Sequence, residues 1–346
     1  MRITSLIFVV FVHLMSGVSF ADELINQEVN LLQSIADESE KGADGRVIVG
    51  DDSNWLFLRS ELSHVAKGRF WEKNWKDVSV SGEDPLPIFL SLNDKLKSLG
   101  VQFIYVPVPP KVCIYPDKFT KKISTKDKTV NAVPFLDKLR MGGIKVIDIE
   151  PLLMKERRTN GSQSYCMTDS HPSPWTCELI AEQIAQEISG SDWVNAFAKT
   201  SKLKFGRSEP LKLSIKGDLI PDKSRDDWKA ESLDVVRAGI ISGVGIEAVS
   251  PDDSKSPVII LGDSHTLIFH EGGDMLMTRA GAVDHLQEKI GFKVFLAASR
   301  GSSSQALRQI YKGPEFWEGK KVLVWISSVR ELTQERRWLK LPRLPR

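Results

Sequence analysis

Two short segments hold the residue types of a hydroxyl nucleophile and its base. Gly262-Asp263-Ser264-His265-Thr266 follows the apolar run Val258 to Leu261, and Thr168-Asp169-Ser170-His171-Pro172 precedes a helix expected from Trp175. A serine at a strand-to-helix turn, with glycine before it, presents its hydroxyl above a sheet and near helix-terminal N–H groups. That hydroxyl is a poor nucleophile until a neighbouring base takes its proton, and histidine has a suitable pKa. The imidazole in turn needs a carboxylate on its other nitrogen to fix the tautomer and stabilise the charged form. Asp169 and His171, two residues apart on a loop, can supply both. Each segment alone has a plainer use, as a helix cap for Gly-Asp-Ser or an Asx turn in a surface loop for Asp-x-His. Their joint occurrence within an alternating pattern of strands and helices favours the catalytic reading. The other histidines are weaker bases on paper. His265 adjoins Ser264, where neighbouring side chains diverge; His270 and His285 fall on the following helix; His64 has no carboxylate partner in view.

The elements that must position these residues alternate along the chain. Asp22 to Asp44 has the pattern of an acidic amphipathic helix, and Val47 to Leu62 reads as two strands about a turn at Asp51–Asn54. Pro85 to Leu99 has apolar residues at helical spacing and ends at Gly100, a residue suited to a helix C-terminus. A β-rich run closed by prolines follows, VQFIYVPVPP. The unit repeats as a helix from Val133 to Met141 and a strand from Lys145 to Ile149. A helix from Trp175 to Ile188 then leads into residues 189–257, rich in Gly, Ser, Asp and Lys, which reads as an insertion or small subdomain. Beyond it come the strand Val258 to Gly262, a helix ending near Gly291, the strand KVFLAA, a helix from about Ser304 and the strand KVLVWIS. Such alternation implies an α/β fold with a mostly parallel sheet covered on both faces. Functional groups in such sheets lie beyond the carboxyl ends of the strands.

The 346 residues carry 47 Lys+Arg against 45 Asp+Glu, with 41% hydrophobic and 27% charged residues. This balance excludes a disordered or fibrous chain, and a net charge of +2 gives no case for nucleic acid as a partner. Residues 1–21 read as an export signal: Arg2, the apolar run Ile3 to Met15, then small residues ending at Ser19 and Ala21. Either cleavage occurs before Asp22 or the segment stays as an N-terminal anchor; in both cases the body of the protein lies outside the cytosol. In an oxidising compartment Cys166 and Cys177 could pair across the Asp-x-His loop, leaving Cys113 buried as a small hydrophobe. Three unpaired thiols are an equal alternative. No cysteine or histidine spacing suggests a metal site, and no cofactor is called for.

The chain resembles the alginate O-acetyltransferases of the AlgJ/AlgX type, an SGNH-hydrolase-like family of the bacterial periplasm. The resemblance rests on VIVGDDSNWLFL (Val47 to Leu58), LGVQFIYVPVPPKVCIYPDKF (Leu99 to Phe119) with its Pro-x-Lys step, and YCMTDSHPSPWTCELIAEQIA (Tyr165 to Ala185). IKGDLI (Ile215 to Ile220), VIILGDSHT (Val258 to Thr266) and AGAVDHLQEKIGFKVFLAASRGSS (Ala280 to Ser303) complete it. It covers most of residues 22–335, the expected domain, and leaves a basic tail at 336–346. The resemblance implies Ser264 as the acetyl-accepting nucleophile, His171 as the base and Asp169 as its orienter. The order Asp, His, Ser is permuted relative to ordinary SGNH esterases. It further implies a polysaccharide acceptor, a membrane-bound O-acyltransferase as acetyl donor partner, and other exopolysaccharide-assembly proteins as neighbours. Two positions depart from the family: Pro172 stands where a tryptophan commonly follows the histidine, and Trp325-Ile326 replaces a Trp-Glu pair.

An oxyanion also needs donors. The Ser264 N–H is one candidate and Gly301, past the strand KVFLAA, another; Arg300 could bring a cation to the acetyl oxygen or to a polymer carboxylate. Of nine tryptophans, Trp175 is the one expected near a sugar, whereas Trp55 and Trp325 lie in strand-like runs. Two alternatives share the fold: an acetyl esterase, with water replacing the sugar hydroxyl, and a non-catalytic polysaccharide-binding or assembly protein.

Overall fold

The computed structural model describes residues 20–42, 45–123, 132–159, 163–243 and 245–339. Residues 1–19 of the expected export signal and most of the basic tail lie outside these residues. No described helix is long and apolar enough to cross a membrane.

The described residues begin with the helix Phe20–Gly42 and an antiparallel pair, β1 (Val47–Val49) and β2 (Leu56–Leu58). The second strand is shorter than the sequence suggested, because the helix Arg59–Val65 starts directly after Leu58. Next come β3 (Gln102–Val108) and β4 (Lys145–Val146), followed after the helix Pro174–Ser189 by residues of the polar middle stretch. That stretch contains the helix Asp192–Ser201 and five strands: β5 (Phe205–Arg207), β6 (Leu211–Ile215), β7 (Glu231–Val235), β8 (Ala238–Ser242) and β9 (Gly245–Glu247). They form an antiparallel pair, β6 with β7, and a three-stranded antiparallel sheet in the order β5-β8-β9. The chain then returns to the central sheet with β10 (Val258–Gly262), β11 (Phe295–Ala298) and β12 (Val322–Ser328).

The central sheet has the order β11-β10-β12-β3-β4, and every neighbouring pair is parallel. Its strands read as unbroken apolar runs because both faces are covered. Alternate residues serve different cores. Val258, Ile260, Ile104, Val106, Val322, Val324 and Ile326 face one side. The helices Pro174–Ser189 and Ala282–Ile290 cover that side with Ile180, Ile184, Val283 and Leu286. Ile259, Leu261, Phe103, Tyr105, Leu323 and Trp325 face the other, under the helices Leu86–Ser98 and Val133–Met141. There Phe89 stacks on Trp325 at 4.7 Å between ring centroids. Trp325 is therefore a core residue.

β4 stops at Val146 instead of Ile149. The Ile147 N–H still reaches the Tyr105 carbonyl at 2.9 Å, and the Asp148 carboxylate then accepts the Glu150 N–H at 3.1 Å, starting the helix Glu150–Thr159. The carboxyl ends of β3, β10, β11 and β12 lead into Lys111, Ser264, Gly301 and Arg330 respectively.

Candidate active site

Ser264 opens a four-residue helix, Ser264–Leu267, at the end of β10. Asp263 caps it by accepting the His265 N–H at 2.8 Å, and the turn is tight enough to require glycine before it. A Cβ on Gly262 would lie 2.2 Å from Thr266 Cγ2 and 2.9 Å from the Ile326 carbonyl oxygen. The Ser264 hydroxyl makes no hydrogen bond to any described residue. Asp263 also accepts the His265 Nδ1–H at 2.9 Å and the Ser328 N–H at 3.0 Å. Burial alone would raise its pKa, but His265 and Arg330 outweigh that and hold the carboxyl well below its ordinary value. His265 Nε2 is buried with no partner, so this ring has no open route to the serine proton.

The Asp-x-His segment is a loop closed by an antiparallel bridge between Tyr165 and Pro172, just before the helix Pro174–Ser189. His171 Nδ1 lies 2.7 Å from Asp169 Oδ1, which also accepts the His171 N–H at 3.0 Å. Burial works against charge on both groups, yet their mutual hydrogen bond prevails: Asp169 falls to about 2 and His171 rises above 6.5. His171 Nε2 has no hydrogen-bond partner among the described residues. The His171 ring stands 5.3 Å, centroid to centroid, from that of His265, the residue following Ser264. The fold thus brings the two segments together at the carboxyl end of β10, with both the serine hydroxyl and the distal imidazole nitrogen uncommitted among the described residues.

Four residues that sequence reasoning did not assign to the site hold this loop. Lys111, wholly buried after β3, points its ammonium at the carbonyls of Asp169 (2.6 Å), Leu56 (2.7 Å), Cys166 (2.9 Å) and Met167 (3.2 Å). Glu231, on β7, accepts the Met167 and Thr168 N–H groups and the Thr168 hydroxyl at 2.7 to 3.0 Å. The Asp218 N–H donates to Asp169 Oδ2 at 2.9 Å, and the Asp218 carboxylate accepts the Ser170 N–H and hydroxyl at 2.6 and 2.9 Å. Gly217 lets those backbones meet: a Cβ there would sit 2.3 Å from the Thr168 oxygen and 2.4 Å from the Asp169 nitrogen. Asp218, Gly217 and Glu231 all belong to the polar middle stretch, which is thereby part of the site's frame. Asp169, His171 and Asp218 have donor atoms within 4.8 Å of one another, a spacing a cation could span. Hydrogen bonds within the protein already engage Asp169 and Asp218.

Two outcomes follow from this frame. Lys111→Met should destabilise the protein by about 3–5 kcal/mol, because it leaves several buried carbonyls without a donor and removes a cation that, with Arg330, favours the charged form of buried Glu61. Chemical denaturation measures this, and an unchanged midpoint would contradict it. Gly217→Ala should cost about 1–3 kcal/mol, the usual range for an overpacked site. Since the clash is with the Thr168–Asp169 peptide itself, turnover should fall further than the melting temperature explains.

The remaining expectations fare differently. Cys166 and Cys177 are not joined: Cys113, Cys166 and Cys177 are all free and buried. Cys166 and Cys177 both sit in the apolar core beneath the loop, where the Cys166 thiol lies 3.9 Å from the Pro172 carbonyl oxygen. Arg300 is exposed, and its charge is already balanced by ion pairs to Glu271 (2.6 Å) and Asp274 (2.5 Å), so it is not a free cation. Gly301 lies in an exposed turn with φ +81°. Trp175 is half-buried and packs against the core from the first turn of the helix Pro174–Ser189.

The family model for the SGNH hydrolase-like domain of acetyltransferase AlgX matches residues 47–326. A curated relative, the probable alginate O-acetylase AlgJ of Pseudomonas fluorescens, is 24% identical over 224 residues. That match takes in 64% of this chain and only 53% of the relative, so the chain spans about half the relative's length. Among solved structures, the O-acetyltransferase domain of Pseudomonas putida AlgJ superposes with a TM-score of 0.58 at 19% identity, covering 83% of this chain and 92% of that one. Pseudomonas aeruginosa AlgX gives a TM-score of 0.54 at 17% identity, covering 84% and 64%. At such identities the two structures speak for the fold. With the family model spanning residues 47–326, the chain belongs to the SGNH hydrolase-like domain family of acetyltransferase AlgX.

Proposed function

We propose that this protein is an exported O-acetyltransferase that works in the periplasm and transfers acetyl groups to hydroxyls of an exopolysaccharide, through an acetyl-serine intermediate on Ser264. A membrane-bound acyltransferase supplies the acetyl group in this reading. His171 takes the proton from the Ser264 hydroxyl as its oxygen attacks the acetyl carbonyl, and the Ser264 N–H helps to hold the resulting oxyanion. Collapse expels the donor's leaving group, which recovers the proton from His171. A sugar hydroxyl then gives its proton to His171 and attacks the acetyl-serine, and Ser264 leaves with that proton restored. Asp169 keeps the Nδ1–H in place and stabilises the imidazolium at both stages.

The observation that carries the proposal is the hydrogen-bonded Asp169–His171 pair beside the turn that begins with Ser264. The relatives named for alginate O-acetylation support the choice of acetyl transfer and of a polysaccharide acceptor. Incubation of the purified protein with an aryl acetate, with and without an oligosaccharide, separates transfer from hydrolysis. Acetylated sugar should form in proportion to acceptor concentration; release of free acetate alone would identify an esterase.

The reaction should also carry a pH signature. Only neutral imidazole can accept the serine proton, and Asp169 raises the His171 pKa above its ordinary value near 6.5. The rate constant kcat/KM should therefore rise with pH through an apparent pKa above 6.5, falling away on the acid side. An acid limb centred well below 6.5 would assign the base to another group.

A further inference from the structure

We infer that the cavity bounded by Arg46, Leu58, Arg59, Ser60, Ser63 and Arg330 is a carboxylate-binding subsite for an acidic residue of the acceptor polysaccharide. The inference rests on the acetyl-transfer reading for its acceptor, but its binding test does not depend on turnover. The cavity has a volume of about 340 Å³, and three arginines and two serines are among its lining residues. Two of the arginines are committed: Arg46 pairs with Asp218 at 2.5 Å, and Arg59 with Glu40 at 3.2 Å. Arg330 has no hydrogen bond or ion pair from its guanidinium among the described residues. Arg330 is therefore the arginine of this lining whose guanidinium is left for a ligand. Its field reaches Glu61, His64 and Asp263, favouring the charged form of each acid and the neutral form of the imidazole.

The chemistry narrows the ligand. A planar guanidinium with free N–H groups matches a carboxylate in a two-pronged hydrogen bond. The nearby buried carboxyls of Glu61 and Asp263 disfavour a dianion such as a phosphate monoester more strongly than a single carboxylate. The Ser60 hydroxyl, which has no partner among the described residues, offers another donor; the Ser63 hydroxyl donates to the Arg59 carbonyl at 3.1 Å and can accept from a sugar hydroxyl. The position fits a substrate role. Arg46 grips Asp218, whose carboxylate holds Ser170 next to His171. Arg330 follows β12, whose Ser328 N–H holds Asp263 next to Ser264. The cavity thus adjoins both halves of the active site, and a uronate seated there would anchor the chain while a hydroxyl of the same polymer reaches Ser264.

Isothermal titration of the full chain with an oligouronate, its carboxyl-reduced neutral counterpart and inorganic phosphate tests the assignment. The oligouronate should bind more tightly than the neutral sugar, and Arg330→Gln should weaken it about tenfold, equivalent to 1.4 kcal/mol. Arg330→Lys should restore only part of that, because an ammonium cannot bridge both oxygens. Ser60→Ala should weaken the oligouronate by a smaller factor, which guards against an Arg330 variant that fails to fold. Equal weakening of acidic and neutral sugars, no change in any variant, or binding of phosphate as tight as that of the oligouronate would each overturn the subsite. Ser264-dependent transfer that proceeds equally to neutral sugars would overturn it while leaving the acetyl-transfer reading intact. Arg330-dependent oligouronate binding without any acetyl transfer would support the subsite and remove the enzymatic reading.

Discussion

Ser264→Ala should lower both acetyl transfer and aryl acetate hydrolysis by roughly 10⁴–10⁶-fold, the scale seen when the nucleophile of a serine triad is removed. The folded state should hardly notice. The Ser264 hydroxyl bonds to no described residue, and the helix it opens is capped by Asp263, so the substitution strands no buried donor. A thermal melt alongside the rate measurement separates the two effects. Loss of activity with an unchanged melt is the expected outcome; retention of more than a small fraction of the rate would remove Ser264 from the reaction. In cells, unchanged polymer acetylation would point instead to a binding or assembly role.

The second large effect is expected for Asp169→Asn, at about 10⁴-fold in kcat by analogy with the same change in a serine triad. The carboxylate takes three N–H donors: His171 Nδ1–H and the His171 N–H on Oδ1, and the Asp218 N–H on Oδ2. An amide has only one oxygen to offer. With its oxygen toward Asp218, its NH₂ group faces His171 Nδ1, forcing the proton onto Nε2, the nitrogen that must accept the serine proton. With the amide reversed, its NH₂ opposes the Asp218 N–H. Loss of the negative charge should also lower the His171 pKa, since the partner that raised it is gone. A proton NMR titration of the His171 ring follows this shift; an unmoved His171 pKa would contradict the pairing.

The central sheet was legible because its strands are buried on both faces and appear as continuous apolar runs, and the helices between them keep a regular period. Ser264, His171 and Asp169 stood out as candidates because their chemistry is confined to short segments, which the fold brings near one another. The frame around them did not stand out. Glu231 and the Asp218 N–H act through hydrogen bonds to residues about 50 to 60 positions away, and a backbone N–H has no signature in a sequence. Gly217 matters only because two backbones meet there, a property of the tertiary fold. Lys111 looks like any surface lysine beside prolines until its four carbonyl acceptors are known. Arg300 shows the reverse: it has the right charge near the right strand end, yet Glu271 and Asp274, on the segment after Ser264, neutralise it. Cys166 and Cys177 flank the Asp-x-His motif in sequence, but the core has taken their thiols as small apolar groups.

Covalent trapping tests the nucleophile most directly. An aryl sulfonyl fluoride, which sulfonylates an activated serine hydroxyl, should label the wild-type chain once, on the peptide containing Ser264, with activity lost in step. The same reagent should leave His171→Ala essentially unlabelled at that position. Modification confined to another residue, or full turnover by a protein labelled at Ser264, would contradict the account.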